Sequence, residues 1–182
     1  MRITGGIYRG RTLAAPRSAD LRPATDMVRQ TIFNVLQNRL DLRDSYVLDL
    51  FSGTGSLGLE ALSRGAAHAT FVDSSETSLD SVESAAEAFG CLARCAIIRD
   101  DAMRYIGQAR QEFDLIFADP PYAFSETASI PQKVFTQKLL KKTGFLIIEH
   151  GKRVEFPKSE LFSIVTVRKF GQTLVNFFSH PS

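Results

Sequence analysis

Two short stretches carry residues that could do chemistry: ADPPY at 118–122 and DLFSGTGSLG at 49–58. Two consecutive prolines fix their own φ, push the residue before them toward an extended conformation and contribute no N–H. Pro120 and Pro121 therefore form a rigid support that presents the Asp119 carboxylate and the Pro120 carbonyl, with the Tyr122 ring just beyond. That array holds acceptors and a flat ring, which suits a planar exocyclic amine: two N–H groups meet two acceptors while the amine's ring stacks on Tyr122. Such an amine is a poor nucleophile because its lone pair is delocalised. Accepting its hydrogens out of plane returns the lone pair to nitrogen and aims it at an electrophile held in line. Taken alone, DPPY is also an ordinary proline turn after a strand.

The second stretch contains Gly53-Thr-Gly55-Ser-Leu-Gly58, the spacing of a loop that brings backbone close to a nucleotide cofactor. Asp73 follows Gly53 by twenty residues, where a carboxylate accepts hydrogen bonds from ribose hydroxyls. These features fit NAD and S-adenosylmethionine alike. Asp49, four residues before the first glycine, separates them. A carboxylate beside two phosphate charges is unfavourable in a partly desolvated cleft, whereas an ammonium and a sulfonium are both favoured by it. The cofactor's own carboxylate would sit at the N-terminus of the helix that the loop opens. Asp101, in the run RDDAM, is a third carboxylate that could reach an adenine amino group. The expected cofactor is S-adenosylmethionine. A buried turn with an aspartate capping the helix is the plainer explanation of Asp49.

These residues need a scaffold that delivers carboxylates to the ends of neighbouring strands. From Tyr46 onward the chain alternates short apolar runs (YVLDLF, ATFVD, CAIIRD, FDLIFADPP, GFLIIEH) with helical stretches. Leu79, Val82, Ala85, Ala86 and Phe89 recur at helical spacing, and Gly90 follows as a helix stop. The pattern predicts βαβ units and a doubly wound, mostly parallel sheet. FSIVTVRKF and TLVNFF, joined through Gly171-Gln172, predict an antiparallel hairpin at one edge. Before Tyr46, Val28, Ile32, Val35, Leu36 and Leu40 mark a helix capped by Thr25 or Asp26, with Arg29 and Arg39 at its margins. Residues 1–15 suggest a glycine-turned β-hairpin or ribbon.

The 182 residues, 44% hydrophobic and 23% charged, suit a single α/β domain: an extension at 1–24 and a catalytic core at 25–182. With no apolar run long enough to span a bilayer and no signal-peptide pattern, a cytoplasmic protein is expected. Cys91 and Cys95 make neither a disulfide framework nor, without neighbouring histidines, a metal site. The scattered His68, His150 and His180 are expected to be ordinary residues. Residues 1–43 carry eight arginines, no lysine and three aspartates. This basic segment suits a phosphate-rich partner, although a solvated charged face has the same composition. Replacing Arg9 and Arg11 should then weaken binding of that partner.

The combination RPATDMVRQTIFN (22–34), LDLFSGTGSLGLEALSRGA (48–66), FVD, DDA and FADPPY resembles the RsmD family of 16S ribosomal RNA guanine-N2 methyltransferases over nearly the whole chain. The resemblance implies a seven-stranded class I methyltransferase fold with an N-terminal β-hairpin extension for RNA binding. It also implies S-adenosylmethionine as cofactor and a guanine of 16S rRNA as substrate, met within an assembling small subunit by a monomeric enzyme. The residues expected at the cofactor are Asp49, Phe51, Gly53, Gly55, Asp73, Ser74, Asp101, Ala102 and Asp119. Asp119, Pro120, Pro121 and Tyr122 are expected at the base, and Arg9, Arg11, Arg22, Thr25, Arg29 and Asn34 around the RNA. The loop AFSETASIP after Tyr122 is less basic than the family's usual one, and Ser74-Ser75 replaces a common charged position. Adenine-N6 methylation of DNA, an NAD-dependent oxidoreductase and a silent RNA-binding module are the rival expectations.

Overall fold

The apolar runs become strands because each is short, rich in β-branched or aromatic residues and bounded by polar or glycine punctuation. A computed structural model of the chain describes residues 1–13 and 25–181. Helix α1 (Thr25–Leu36) precedes β1 (Tyr46–Leu50), α2 (Ser56–Ser63), β2 (His68–Asp73) and α3 (Glu76–Phe89). Then come β3 (Cys95–Arg99), α4 (Ala102–Gln108), β4 (Phe113–Ala118), α5 (Ile130–Thr136), β5 (Leu140–Gly151), β6 (Ser163–Phe170) and β7 (Thr173–Ser179). The strands form one seven-stranded sheet in the order β3-β2-β1-β4-β5-β7-β6. β1 to β5 are parallel, and β7 enters antiparallel between β5 and the edge strand β6.

The strand order reverses between β1 and β4. In a doubly wound sheet that reversal opens a crevice outside the strands' carboxyl ends, where the connections leave in opposite directions. Asp49 pairs with Phe117 and Leu50 with Ala118, so the glycine motif and ADPPY leave the sheet side by side. The Asp119 N–H reaches the Leu50 carbonyl at 3.4 Å.

Each face of the sheet is covered by helices. Phe33 and Ile32 of α1, Leu59 and Leu62 of α2, and Val82 and Phe89 of α3 share one core with Phe71, Phe117 and Phe177. Ile106 of α4 and Val134 of α5 share the other with Ile116, Ile148 and Phe178. All five apolar positions expected on α3 are buried; Ser75 caps its start by accepting from the Ser78 N–H, and Gly90 ends it in the left-handed region.

The N-terminal ribbon is described to Leu13. Arg2 and Thr12 form an antiparallel bridge, and Ile3, Tyr8 and Leu13 are buried in the first core. Gly6 lies against the end of α2: its φ is +76°, and a Cβ there would sit 1.9 Å from the Ser63 carbonyl oxygen. The Ile7 and Tyr8 N–H groups donate to the Ser63 carbonyl and hydroxyl at 2.8 and 2.9 Å. The segment is thus docked on the body. Phe177 and Phe178 are fully buried, and His68 stacks on Tyr46.

Candidate active site

The glycine loop is held from below by carboxylates. Asp49 is 2% exposed, and its Oδ2 accepts from the Gly58 N–H at 2.9 Å. A Cβ on Gly58 would lie 2.3 Å from the Phe71 ring, and one on Gly55 would lie 2.9 Å from Val82. These two glycines therefore serve packing, the second also by its φ of +71° at the start of α2. Gly53 differs: among the described residues, no atom lies within 4 Å of where its Cβ would be. Phe51 is held at φ +55°, a left-handed conformation unusual for a phenylalanine, and its ring meets Phe124 edge-on at 5.1 Å. The segment after ADPPY is thereby packed on the glycine loop.

Asp73 ends β2 with both oxygens anchored by backbone, Oδ2 on the Gly53 N–H and Oδ1 on the Ser75 N–H, each at 2.8 Å. Ser74, between them, is exposed. Asp101 caps α4 through the Arg104 N–H at 2.8 Å, and Ala102, the first residue of that helix, is buried. Asp100 pairs with the Arg104 guanidinium. Beyond β4, Asp119 is exposed, Pro120 buried and Pro121 exposed, and the Phe124 N–H closes a turn onto the Pro121 carbonyl at 2.8 Å. Tyr122 keeps 43% of its surface exposed. Its hydroxyl bonds the Thr173 hydroxyl at the start of β7, and its ring lies over Gly151, where a Cβ would be 3.5 Å from Cδ1.

Burial pushes the Asp49 carboxyl well above its usual range; the Gly58 N–H opposes this, and the negative charges of Asp119 and Asp73 add to it. Asp49 lies beneath the loop, with its Oδ2 engaged by the Gly58 N–H. A cation above the loop would meet three carboxylates at once, and a pyrophosphate would be repelled by them.

The basic segment is corrected. Arg29, expected at a helix margin closing over substrate, is 2% exposed. Its Nε meets Glu60 at 3.3 Å, while its Nη2 bonds Asp26 at 2.6 Å and the Arg2 carbonyl. Arg11 donates to the Ala88 carbonyl at 2.7 Å and lies over the Tyr8 and Phe89 rings. Arg9 and Asn34 are exposed. Arg22 lies outside the described residues, as does the side chain of Thr25.

Sequence reasoning missed Glu60, Gly151 and Thr173. Glu60 is fully buried and binds Thr4 through both its N–H and hydroxyl, at 2.7 and 2.8 Å, as well as Arg64 at 2.8 Å. Its one signal was an acid inside the otherwise apolar run LGLEAL, four residues before an arginine. The partners of Tyr122 had no local signal, since Thr173 is 51 residues away.

Comparison with known proteins bears on this arrangement. A family model described as Conserved hypothetical protein 95 matches residues 1–179. The chain belongs to the RsmD family. It is 34% identical over 172 residues to the putative rRNA methyltransferase YlbH of Bacillus subtilis, covering 93% of this chain and 92% of that one. It is 41% identical over 123 residues to the ribosomal RNA small subunit methyltransferase D of Escherichia coli, covering 67% of this chain and 60% of that one. Among solved structures, the putative methyltransferase yhhF from Escherichia coli superposes with a TM-score of 0.87 at 26% identity, over all of this chain and 98% of the other. The fold is that of the class I methyltransferases.

Proposed function

We propose that this RsmD-family chain transfers a methyl group from S-adenosylmethionine to the exocyclic N2 amine of a guanine in 16S rRNA, within an assembling small subunit. The observation that carries the reading is the cleft itself. Asp49, Asp73 and Asp119 converge on one glycine loop, and beside them an exposed Tyr122 ring is fixed by Gly151 and Thr173.

The residues present fit the cofactor. The carboxylate cluster favours its two cationic groups, and the space at Gly53 among the described residues would admit it. Among the described residues, the Ser52 hydroxyl is buried in the loop without a hydrogen-bond partner, a loss of about 1–3 kcal/mol that a polar group lodged there would recover. When bound, S-adenosylmethionine supplies an electrophilic methyl on a sulfonium. Asp73 is already oriented by two backbone N–H groups and offers its remaining lone pairs to ribose hydroxyls. Ser74, Phe51, Asp101 and Ala102 would complete the cofactor's surroundings.

Asp119 and the Pro120 carbonyl would accept the two amine hydrogens, restoring the nitrogen lone pair for in-line attack, and Tyr122 would hold the base by stacking worth about 1–3 kcal/mol. Methyl transfer to the amine, with the thioether as leaving group, would leave the nitrogen cationic, and Asp119 or water would take its proton. The base must be unstacked to enter, which suits a loop.

The test offers methyl-labelled cofactor to immature small subunits, mature subunits, naked 16S rRNA and DNA. Labelled N2-methylguanine in 16S rRNA is expected; methylation of DNA alone overturns the reading. Asp119→Ala should abolish transfer and leave cofactor affinity within about tenfold, or ~1.4 kcal/mol. Full activity in that variant removes Asp119 from the mechanism.

A further inference from the structure

Two of the first segment's arginines are engaged by the protein itself: Arg29 is buried, and Arg11, though exposed, is bound to the end of α3. A second group of exposed cations lies beside Tyr122. Lys152 and Arg153 follow directly on Gly151, the residue under the Tyr122 ring, and both are exposed. Arg168 and Lys169 lie near the end of β6, also exposed, and pair with Val175 and Leu174 just beyond Thr173. From the strand rise and spacing, the Lys169 backbone is roughly 6 Å from that of Thr173, the partner of the Tyr122 hydroxyl. The Lys152 N–H donates to the Gln172 carbonyl at 3.2 Å, so the two basic turns form one unit with the support of the ring. Among the described residues, none of these four cations has a salt bridge; Arg168 bonds only the neighbouring Val167 carbonyl. The acids nearby are the exposed Glu155 and the half-buried Glu149.

We propose that Lys152, Arg153 and Arg168, which shares the sheet face of Thr173, form a rim that grips the phosphates flanking the target nucleotide, so that the strand is held by the β5–β7–β6 end while its base lies on Tyr122. The proposal rests on the reading of the protein as an RNA methyltransferase. It adds the C-terminal hairpin to the surfaces that meet RNA. A strand whose base stacks on Tyr122 must pass its backbone over adjoining surface. The carboxylate side of that ring repels phosphate, and the rim side attracts it. Both basic pairs sit on strand ends whose backbone is already ordered, so little chain entropy is lost on binding.

The test compares K152A/R153A, R168A/K169A and R9A/R11A with the parent protein in RNA-binding titrations across salt concentration and in steady-state methylation of 16S rRNA substrates. K152A/R153A should lower the slope of log affinity against log salt by about 1.4 and R168A/K169A by about 0.7, at ~0.7 per phosphate contact on a single strand, since Lys169 lies on the sheet face away from Tyr122. Each should also raise KM for RNA at least tenfold with kcat within about twofold, and leave cofactor binding unchanged; the R9A/R11A pair should change the slope less. Parent-like slope and KM in both rim variants would overturn the rim while methyl transfer by the parent protein continued. Failure of the parent protein to methylate any RNA would overturn the functional reading and the rim with it.

Discussion

Glu60→Gln is the perturbation with the largest expected effect away from the cleft. The carboxylate has no solvent exposure and accepts from the Thr4 N–H, the Thr4 hydroxyl, Arg29 and Arg64. Glutamine keeps one acceptor oxygen and turns two donors toward Thr4 or the guanidiniums. Arg29, itself 2% exposed, then retains only Asp26 as a charged partner. Breaking a buried pair by removing one partner costs about 3–5 kcal/mol. Because Asp26 still compensates part of the Arg29 charge, the lower end applies, and for a domain of this size ~3 kcal/mol lowers Tm by roughly 6–12 °C. Thermal unfolding followed by circular dichroism measures it directly. Repeating the melts at high salt tests the burial, since buried pairs are screened far less than exposed ones. A Tm loss under about 3 °C, or one that disappears in 1 M salt, refutes the account of Glu60 as a buried hub. Thr4→Ala, which keeps the backbone donor, should cost only about 1 kcal/mol.

Asp49→Asn tests the electrostatics of the cleft. Burial raises the Asp49 carboxyl above its ordinary value of 3.8, so the folded state binds the proton more tightly than the unfolded chain does. Stability therefore falls as pH rises from about 4 through the folded-state pKa. Asparagine retains an oxygen for the Gly58 N–H without the charge, so the ligand-free variant should melt higher than the parent at pH ~8 and not at pH ~3.5. A variant that is less stable at both pH values sinks this account. Gly6→Ala should undock the N-terminal ribbon, because the new methyl would enter the Ser63 carbonyl at a positive φ. Cys91, 1% exposed beneath Tyr8, then becomes the reporter: its labelling by a thiol reagent should accelerate about tenfold or more, a shift of ~1.4 kcal/mol in local opening. An unchanged labelling rate would show that the ribbon tolerates the methyl.

The sheet could be read from sequence because its signals are local. Each strand is a short apolar run, and the five buried positions of α3 lie at helical spacing between a serine cap and Gly90. Helix α1 shows where local signals end. Its periodicity picks Val28, Ile32, Val35 and Leu36, yet Val35 is only half-buried, while Phe33 and Arg29 are fully inside. The inward stripe is turned toward those two because Phe33 packs on Phe117, and because Arg29 meets Glu60 from 31 residues away and the Arg2 carbonyl. A charged residue beside an apolar stripe is normally read as a margin, and only a buried acid on another helix reverses that reading.

The same distinction reassigns the parts of the cleft. The glycine motif and DPPY were recognisable as spacings, but the geometry divides their work. Gly55 and Gly58 fit α2 against Phe71 and Val82, whereas a Cβ on Gly53 would meet no described residue. Asp49 lies under the loop and contributes charge, while Asp73 and Asp119 stand closer to the space above it. A buried carboxylate kept near two others, with a backbone N–H as its hydrogen-bond donor, costs stability in the ligand-free protein. On the proposed reading, a cation in the cleft would return that cost, because each carboxylate would gain an opposite charge, whereas a pyrophosphate would deepen it.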